Sequence, residues 1–264
     1  MFSYFHHKKA SKFLLAFFIL NSSATLSESY LSIIIDDIGD QYQLGKEALS
    51  LPGNLTYALL PYSPYANKLS EYGLNRSKEF ILHSPMQSVD NRLKTSHTLH
   101  MHMTEQQFVQ QLKNQLTQFP FIKGINNHMG SLLTMHPGYM TLLMQQLKTY
   151  KTLHFIDSRT TANSVAQKIA IEHKIPALKR DVFIDATADI HSINFQLDRA
   201  ITIAKNNGHA VAIAHPYPNT LNVLKQRLPL LPESAIKLLT TSALIKKLSE
   251  PTHEKNTNTL SAGL

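Results

Sequence analysis

Short apolar runs alternate with segments of helical periodicity along most of the chain. The apolar runs predict strands at 31–35, 55–60, 79–83, 122–126, 153–157, 210–215 and 235–240. Apolar residues that recur every three or four positions predict helices at 42–50, 63–73, 104–119, 138–150, 164–173, 191–207 and 219–228. Alternating strands and helices are typical of a parallel sheet covered by helices. Seven such units fit an open barrel, a closed barrel or a doubly wound sheet.

Both ends of the chain depart from this pattern. Three lysines within the first twelve residues precede the uncharged apolar run 13–20, and small polar residues follow up to Ala24. This order is typical of a secretory signal, and the apolar run is shorter than the roughly 20 residues of a membrane span. We therefore expect an exported, periplasmic protein without a membrane span in its mature form, and retention of the signal as an anchor is the alternative. The predicted divisions are a signal peptide at 1–24, one barrel domain at 25–250 and a disordered polar tail at 251–264.

Composition narrows the possible chemistry. The 264 residues include no cysteine, so any metal ion must be held by His, Asp, Glu, Asn or water. The formal net charge is +8, and it falls to +5 when the three lysines of the signal are removed. The remaining basic residues are scattered and are not interleaved with aromatic residues. We therefore expect no nucleic-acid partner.

Polar side chains stand at the ends of five predicted strands. They are Asp36 and Asp37, then His83, then Asn126, Asn127 and His128, then Asp157, and finally His215. The carboxyl ends of parallel strands meet at one edge of a sheet or barrel, where active sites of such proteins lie. The repeated placement therefore predicts a functional site at that edge.

Each of these residues also has a structural interpretation. An aspartate after a strand commonly caps the next helix, and a lone histidine is commonly a hydrogen-bonded core residue. We assign the structural role to His154, which lies inside its strand. His100 and His102 lie on one face of an extended segment, but no acidic residue accompanies them, so we do not expect a metal site there. Asp181 and Asp185 are either site residues or turn residues.

One carboxylate and two imidazoles form a recurrent ligand set for zinc or another divalent metal. Asp37, His83 and His128 supply this set. Asp36 is then free to accept a proton from water, and His215 can protonate a leaving group, as hydrolysis of an amide or ester requires.

Four further residues are expected to bind or orient the substrate. Arg159 can hold Asp36 or Asp157 through two parallel hydrogen bonds. Asn127 and Tyr217 follow predicted strands near the same edge. The rings of Tyr62, Tyr65 and Tyr217 near it can stack on sugar rings, or they serve only as packing.

Eight segments occur in an order that resembles the divergent polysaccharide deacetylase family of bacteria. They read IIIDDIGD, LPGNLTYALLPYSPYA, ILHSPMQ, GINNHMGSLLT, FIDSRTT, SVAQKIA, RDVFID and AIAHPYPNTL, and they span about residues 31 to 245. The resemblance implies a distorted (β/α) barrel of about seven parallel strands, of the polysaccharide deacetylase type. It also implies that Asp36 is the base, Asp37 a metal ligand and His215 the catalytic acid.

The sequence departs from the family at the second histidine ligand. Family members usually carry two ligand histidines four residues apart, whereas Gln87 stands four residues after His83. The second imidazole must then come from another segment, and His128 is the candidate.

Three functions follow from these observations. The first is a zinc-dependent hydrolase that removes acetyl groups from an N-acetylated envelope carbohydrate. The second is a non-catalytic envelope protein that keeps the barrel and binds a glycan or a peptide. The third is a metal hydrolase that acts on another bond, such as a peptidoglycan amide or a phosphoester.

Overall fold

A computed structural model describes Met1 and residues 28–90 and 96–250. The predicted tail, and all of the predicted signal peptide except Met1, lie outside these residues. The described part contains nine strands: β1 (Ser29–Ile38), β2 (Thr56–Leu59), β3 (Glu79–Met86), β4 (Gly124–Met129), β5 (His154–Asp157), β6 (Ala177–Lys179), β7 (Val182–Phe183), β8 (His209–Ala214) and β9 (Ile236–Leu238). It contains eight α-helices: α1 (Tyr42–Leu49), α2 (Ala66–Leu74), α3 (Glu105–Thr117), α4 (Pro137–Thr149), α5 (Ala166–Glu172), α6 (Ile190–Asn207), α7 (Pro218–Arg227) and α8 (Thr241–Ser249).

All the strands belong to one parallel sheet that curls into a barrel. The strand order is β6-β5-β4-β3-β2-β1-β8-β7, and β9 pairs with the first residues of β1. Only Arg180 and Asp181 separate β6 from β7, which lie at opposite ends of this order. The Arg180 N–H donates to Asp157 O, and the Asp181 N–H donates to Val211 O. This short segment therefore joins the two ends of the curled sheet, and the predicted barrel is confirmed.

The sequence prediction missed three elements. Strands β6 and β7 have only three and two residues, too few to show a two-residue alternation. The predicted strand 235–240 contains the three residues of β9, which lies outside the curl, beside β1. Helix α8, which follows it, was not predicted.

The two faces of the sheet bury different apolar clusters. The larger cluster packs the convex face against the helices and includes Ile33, Ile35 and Phe155. The smaller one fills the inside of the barrel with the alternate strand residues, among them Ile34 and Ile81. Inward side chains therefore recur every second residue, and the positions two residues after Ile34 and Ile81 are Asp36 and His83.

The amino end of the barrel is closed by α8. The carboxylate of Glu79, the first residue of β3, accepts hydrogen bonds of 2.8–2.9 Å from the hydroxyls of Thr56, Thr240 and Thr241. His154 Nε2 lies 2.9 Å from Thr241 Oγ1. These polar groups bind α8 to the barrel at the end opposite the predicted site.

None of the helices in the described ranges is both long and apolar enough to cross a bilayer.

Candidate metal centre and active site

Asp36 and Asp37 lie at an irregularity near the end of β1. The pairing of β1 with β2 shifts its register between Ile35 and Ile38, so the two aspartates occupy a bulge. Asp37 has a φ of +56°, in the left-handed region. Adjacent residues of a regular strand point to opposite faces, whereas this bulge lets both carboxylates reach the inside of the barrel. The irregularity explains how two neighbouring aspartates serve one site.

Three side-chain atoms form a nearly equilateral triangle. Asp37 Oδ1 lies 3.0 Å from His128 Nδ1 and 3.2 Å from His83 Nε2, and the two imidazole nitrogens are 3.0 Å apart. Divalent ions bind such atoms at about 2.0–2.2 Å, which a triangle of this size permits. Within the described part of the chain, this is the one group of His and acidic residues that meets the spacing of a metal site.

The carboxylate of Asp37 supports the same interpretation. Its Oδ1 is buried and accepts no hydrogen bond of normal geometry, although two imidazole nitrogens lie close to it. A buried oxygen without a partner is unfavourable unless a further group binds it. The donor set of one carboxylate and two imidazoles also suits zinc. The residues therefore fit a divalent metal ion.

Asn126 connects the ligand His83 to Asp36. Its Nδ2 donates to Asp36 Oδ1 at 2.8 Å, and its Oδ1 lies 2.7 Å from His83 Nδ1. Because the amide oxygen can only accept, His83 Nδ1 must carry the proton. The lone pair of His83 is then on Nε2, the atom that faces Asp37 and His128.

The register between β3 and β4 brings these groups together. His83 is the direct cross-strand partner of Asn126, and Pro85 is the partner of His128. The two histidines are therefore diagonal neighbours on one face of the sheet. His83 lies inside β3 rather than at its end, because the strand continues to Met86. The strand predicted at 79–83 thus ends three residues later than expected.

Asn127 joins two of the turns that surround the site. Its Oδ1 accepts a hydrogen bond from the Ser158 N–H, and its Nδ2 donates to Met129 O. Met129 itself has a φ of +54°. Asn127 thus links the turn after β4 to the turn after β5. It also lines the cavity described below.

His215 approaches from β8 and is held by Asp185. The Asp185 carboxylate lies 2.9 Å from His215 Nδ1, and it also accepts hydrogen bonds from the His215 N–H and from Thr220 Oγ1. The other ring nitrogen, Nε2, lies 4.0 Å from Asp37 Oδ2. The sequence left Asp185 as either a site residue or a turn residue, and these contacts make it a site residue. It stands two residues after the β7 residue Phe183, at an inward-facing position of the strand pattern.

The surroundings shift the pKa values of the two groups proposed for proton transfer. Burial raises the pKa of Asp36. Burial lowers the pKa of His215, but the hydrogen bond to Asp185 and the charges of Asp185 and Asp36 outweigh it and raise that pKa to about 9. At neutral pH, His215 is therefore a proton donor.

Asp37 behaves differently from its neighbour. Burial acts to raise its pKa, but the imidazoles of His128 and His83, which lie close to its carboxylate, outweigh burial and hold the pKa well below its usual range. Asp37 is thus ionised, as a metal ligand must be.

These residues line a cavity of about 410 Å³ at the carboxyl ends of the strands. Its walls include Asp36, Asp37, His83, Asn127, His128, His215 and Tyr217. Tyr217 stacks on His215 with ring centroids 5.3 Å apart and ring planes 21° apart. Seven of the nine sequence-predicted site residues therefore face one opening.

Asp157 and Arg159 are placed differently from the other seven. The Asp157 carboxylate accepts hydrogen bonds from Ser164 Oγ and from the N–H of Arg159 and Gln167. The Arg159 guanidinium donates to Ala162 O and contacts neither Asp36 nor Asp157. The expected two-bond contact between Arg159 and a carboxylate is thus absent from the described contacts. The turn after β5, which contains Ser158 and Arg159, is instead held by Arg180. The Arg180 guanidinium donates hydrogen bonds to Ser158 O and Arg159 O.

The sequence also placed two histidines, His100 and His102, on one face of an extended segment. His100 and His102 stack with ring centroids 4.9 Å apart, and they belong to no candidate metal group of the described residues.

Comparison with known protein families gives one assignment. A family model described as divergent polysaccharide deacetylase matches residues 33–245. The uncharacterized protein YibQ of Escherichia coli K12 is 34 % identical over 239 residues, which cover 90 % of this chain and 73 % of that protein.

Solved structures share the fold at low sequence identity. The uncharacterized protein ATU2773 of Agrobacterium tumefaciens C58 aligns with a TM-score of 0.79 at 18 % identity, over 84 % of this chain and 91 % of that one. The peptidoglycan deacetylase PdaC of Bacillus subtilis aligns with a TM-score of 0.51 at 13 % identity, over 84 % and 93 %. BA3943 of Bacillus anthracis, described as a CE4 family pseudoenzyme, has a TM-score of 0.51 at 13 % identity, over 83 % and 66 %.

Proposed function

The chain belongs to the divergent polysaccharide deacetylase family, and from this we propose that it is a metal-dependent hydrolase of N-acetylated envelope carbohydrate. The reaction removes acetyl groups. The observation that carries the proposal is the convergence of Asp36, Asp37 and three imidazoles on one cavity. Fold alone does not fix function, so the argument rests on these side chains.

The proposed cofactor is zinc or another divalent metal, held by Asp37, His83 and His128. A bound ion of this kind polarises a carbonyl oxygen and lowers the pKa of bound water to about 7. Asn126 orients His83 for this role, since it fixes the ring proton on Nδ1.

Two residues transfer protons on either side of the acetamido group. Asp36 accepts a proton from the attacking water, whose oxygen forms the new bond to the carbonyl carbon. His215 donates its Nε2 proton to the amide nitrogen as the carbon–nitrogen bond breaks. The products are acetate and a free amine. Burial raises the pKa of Asp36, which makes its carboxylate a stronger proton acceptor, and the contact with Asp185 keeps His215 protonated as the acid.

Asn127 and Tyr217 are the proposed substrate contacts among the cavity residues. Tyr217 offers a half-exposed aromatic ring beside the proposed acid, and sugar rings pack well on such surfaces. Asp157 and Arg159 are proposed to support the site indirectly, through the turn after β5.

Replacement of the base tests the mechanism. We expect Asp36→Asn to reduce acetate release from N-acetylated glycan by about 10²–10⁴-fold, because general base catalysis typically contributes that much. The asparagine can still accept the hydrogen bond from Asn126, so thermal stability and a metal content of about one ion per chain should be retained. Unchanged acetate release from the folded, metal-loaded variant would reject the mechanism.

A non-catalytic binding protein is the second candidate, because the same fold occurs in a protein described as a pseudoenzyme. Wild-type protein that binds metal and glycan but releases no acetate would favour this candidate. A screen of cell-wall fragments and phosphoesters beside acetylated sugars separates deacetylation from hydrolysis of another bond.

Export to the periplasm is proposed from the lysines, apolar run and small residues of 1–24. N-terminal sequencing of the protein recovered from the periplasmic fraction should place the first residue after Ala24. Recovery from the cytoplasm with Met1 intact would contradict this proposal.

A further inference from the structure

We propose that the amino end of the barrel is a docking surface for a bilayer that contains anionic phospholipids. This end is opposite the candidate active site, and it is formed by α8 and by the turns that lead from each helix into the next strand. Docking there would leave the cavity of the metal centre open on the far side. The attachment is peripheral, since charges and a few apolar side chains contact the lipid headgroups without crossing the bilayer.

Basic side chains are spread over the whole of this end. A lysine or arginine stands within the three residues before each of the strands β3, β4, β5 and β6, and others lie in β9 and in the last turn of α8. The exposed ones are Arg76, Lys123, Lys151, Lys174, Lys237, Lys246 and Lys247. The turns that lead into β3, β4, β5 and β6 contain no acidic residue. The positive charge is therefore a property of the whole face.

Acidic side chains at the amino end leave much of this charge unbalanced. Glu28 lies 3.3 Å from Lys237, and Glu250 lies 2.9 Å from Lys247. Glu233 is a further exposed carboxylate, in the turn before β9. The basic residues without an acidic partner among the described ion pairs are Arg76, Lys123, Lys151, Lys174 and Lys246. An excess of positive charge therefore remains on this face.

The opposite end of the barrel carries mainly negative charge. Within the described ranges, aspartates stand at the ends of β1 and β7 and in the turns that follow these strands: Asp36, Asp37, Asp40, Asp185 and Asp189. An anionic bilayer attracts the basic end and repels the acidic end. The distribution of charge thus favours one orientation, with the active-site cavity facing away from the lipid.

Helix geometry explains only part of this distribution. Cations are favourable in the last turn of a helix, as Lys148 of α4 and Lys205 of α6 show. Lys123 and Lys151 lie beyond the ends of α3 and α4, where the helix dipole has little effect. Lys237 lies in a strand. Attraction to an anionic surface accounts for these three as well.

Exposed leucines occur at the same end as the lysines. Leu74, Leu230 and Leu248 are 42 %, 48 % and 44 % exposed, and they are the exposed leucines of the described ranges. Leu74 lies two residues before Arg76, and Leu248 follows Lys247 directly. Apolar side chains beside cations are typical of peripheral membrane surfaces, because the apolar groups enter the headgroup region while the cations pair with phosphates. An acidic protein partner would not require these leucines.

The first strand also enters the barrel at this end. β1 begins at Ser29, beside β9, so the covalent connection to the preceding residues is on the basic face. If residues 1–24 were retained as an anchor, they would be attached to the face that carries the lysines. The anchor and the docking surface would then act on the same bilayer.

Partitioning into lipid vesicles tests the docking surface. The protein is purified in the form that cells produce and is mixed with vesicles of phosphatidylcholine, either alone or with about one-third phosphatidylglycerol. We expect binding to the mixed vesicles that weakens as the sodium chloride concentration rises, because salt screens the attraction. A retained apolar anchor would add binding to both kinds of vesicle, so the difference between them measures the effect of the charged face.

Two matched double variants locate the surface. Lys123→Gln with Lys151→Gln should reduce partitioning into the mixed vesicles by about 25-fold, since each cation near an anionic surface strengthens binding by about fivefold. Lys68→Gln with Arg199→Gln removes the same charge from exposed positions of α2 and α6 and should partition like the wild type. Both variants should act on soluble substrates as the wild type does.

A fluorescent label reports which end of the barrel faces the lipid. The chain has no cysteine, so Leu230→Cys and Tyr65→Cys each provide a single labelling site. Leu230 lies at the amino end, and Tyr65 follows β2 at the carboxyl end. We expect spin-labelled lipids in the mixed vesicles to quench the label at position 230 and to leave the label at position 65 unquenched.

Several results would overturn the inference. They are equal binding to the two kinds of vesicle, equal losses in the two double variants, and stronger quenching at position 65 than at position 230. A protein whose basic face binds only an acidic partner protein would bind neither kind of vesicle, and that result also rejects a lipid docking surface. Acetate release from a soluble substrate tests the proposed function separately, because none of the substituted residues lies in the metal centre.

Discussion

Asn126 is the residue on which the two proposed roles of the site depend together. Its amide contacts the base candidate Asp36 through nitrogen and the ligand candidate His83 through oxygen, and it is fully buried. If the Asn126 amide were reversed, its N–H would face His83 Nδ1 and its oxygen would face the Asp36 carboxylate. Two oxygens that both accept hydrogen bonds would then repel each other. Both contacts therefore require a single amide orientation, which fixes the tautomer of the ligand.

Loss of this amide should weaken metal binding. We expect Asn126→Ala to reduce zinc affinity by about 10–100-fold, the usual effect of removing a group that orients a ligand histidine. Competition with a chromophoric chelator measures the affinity, and a thermal melt checks the fold. Asn222→Ala removes an exposed asparagine of α7 as the control, and its zinc affinity should match the wild type. A folded Asn126→Ala protein with wild-type affinity would show that His83 needs no such partner.

At the scale of elements, α8 depends on a single carboxylate. Glu79 accepts hydrogen bonds from Thr240 and Thr241 at the start of this helix, and from the Ser242 N–H. It also accepts one from Thr56 of β2. Hydrogen bonds to a partly buried charge are stronger than those between neutral groups. Glu79 therefore attaches the helix to the amino end of the barrel.

Neutralising Glu79 should destabilise the protein. We expect Glu79→Gln to lower the free energy of unfolding by about 1–3 kcal/mol, because a charged acceptor of several hydrogen bonds is lost. Urea unfolding measures the change. Glu250→Gln removes an exposed carboxylate that pairs with Lys247, and it should leave stability unchanged, because exposed ion pairs contribute little. Equal stabilities of the two variants would mean that Glu79 does not stabilise the attachment of α8.

The stability of the whole molecule should depend on pH through His154. Burial lowers the pKa of this histidine to about 4, and the charge of Glu79 opposes that shift only in part. An unfolded histidine has a pKa of about 6.5. Between these two values the unfolded chain binds a proton that the folded chain does not. The contribution of His154 to stability is therefore fully present above about pH 6.5 and is lost as the pH falls towards 4.

Urea unfolding at pH 5 and pH 7 tests this linkage. We expect the wild-type protein to lose up to about 2 kcal/mol more than His154→Gln between these pH values, since one proton contributes about 1.4 kcal/mol per pH unit. His191→Gln replaces an exposed histidine and should follow the wild type. If His154→Gln and the wild type lose the same stability, the native state does not exclude the proton from His154.

The sequence by itself determined the alternation of strands and helices and the positions of the polar residues along the strands. These are local properties, since the two-residue period of a strand fixes which side chains share a face. Asp36 follows Ile34 by two residues, and His83 follows Ile81 by two, so their inward direction could be predicted. The family resemblance added the barrel, which the structural comparison confirms.

Only the tertiary structure decided which side chains meet. Asn126 contacts Asp36 across 90 positions of sequence, Asp185 contacts His215 across 30, and Thr241 contacts Glu79 across 162. The bulge at Asp37 and the left-handed conformation of Tyr62 have no glycine to predict them. A periodic pattern gives the direction of a side chain but not the distance between two strands. That distance depends on how the sheet curls and on the register of each strand pair, and both follow from packing over the whole barrel.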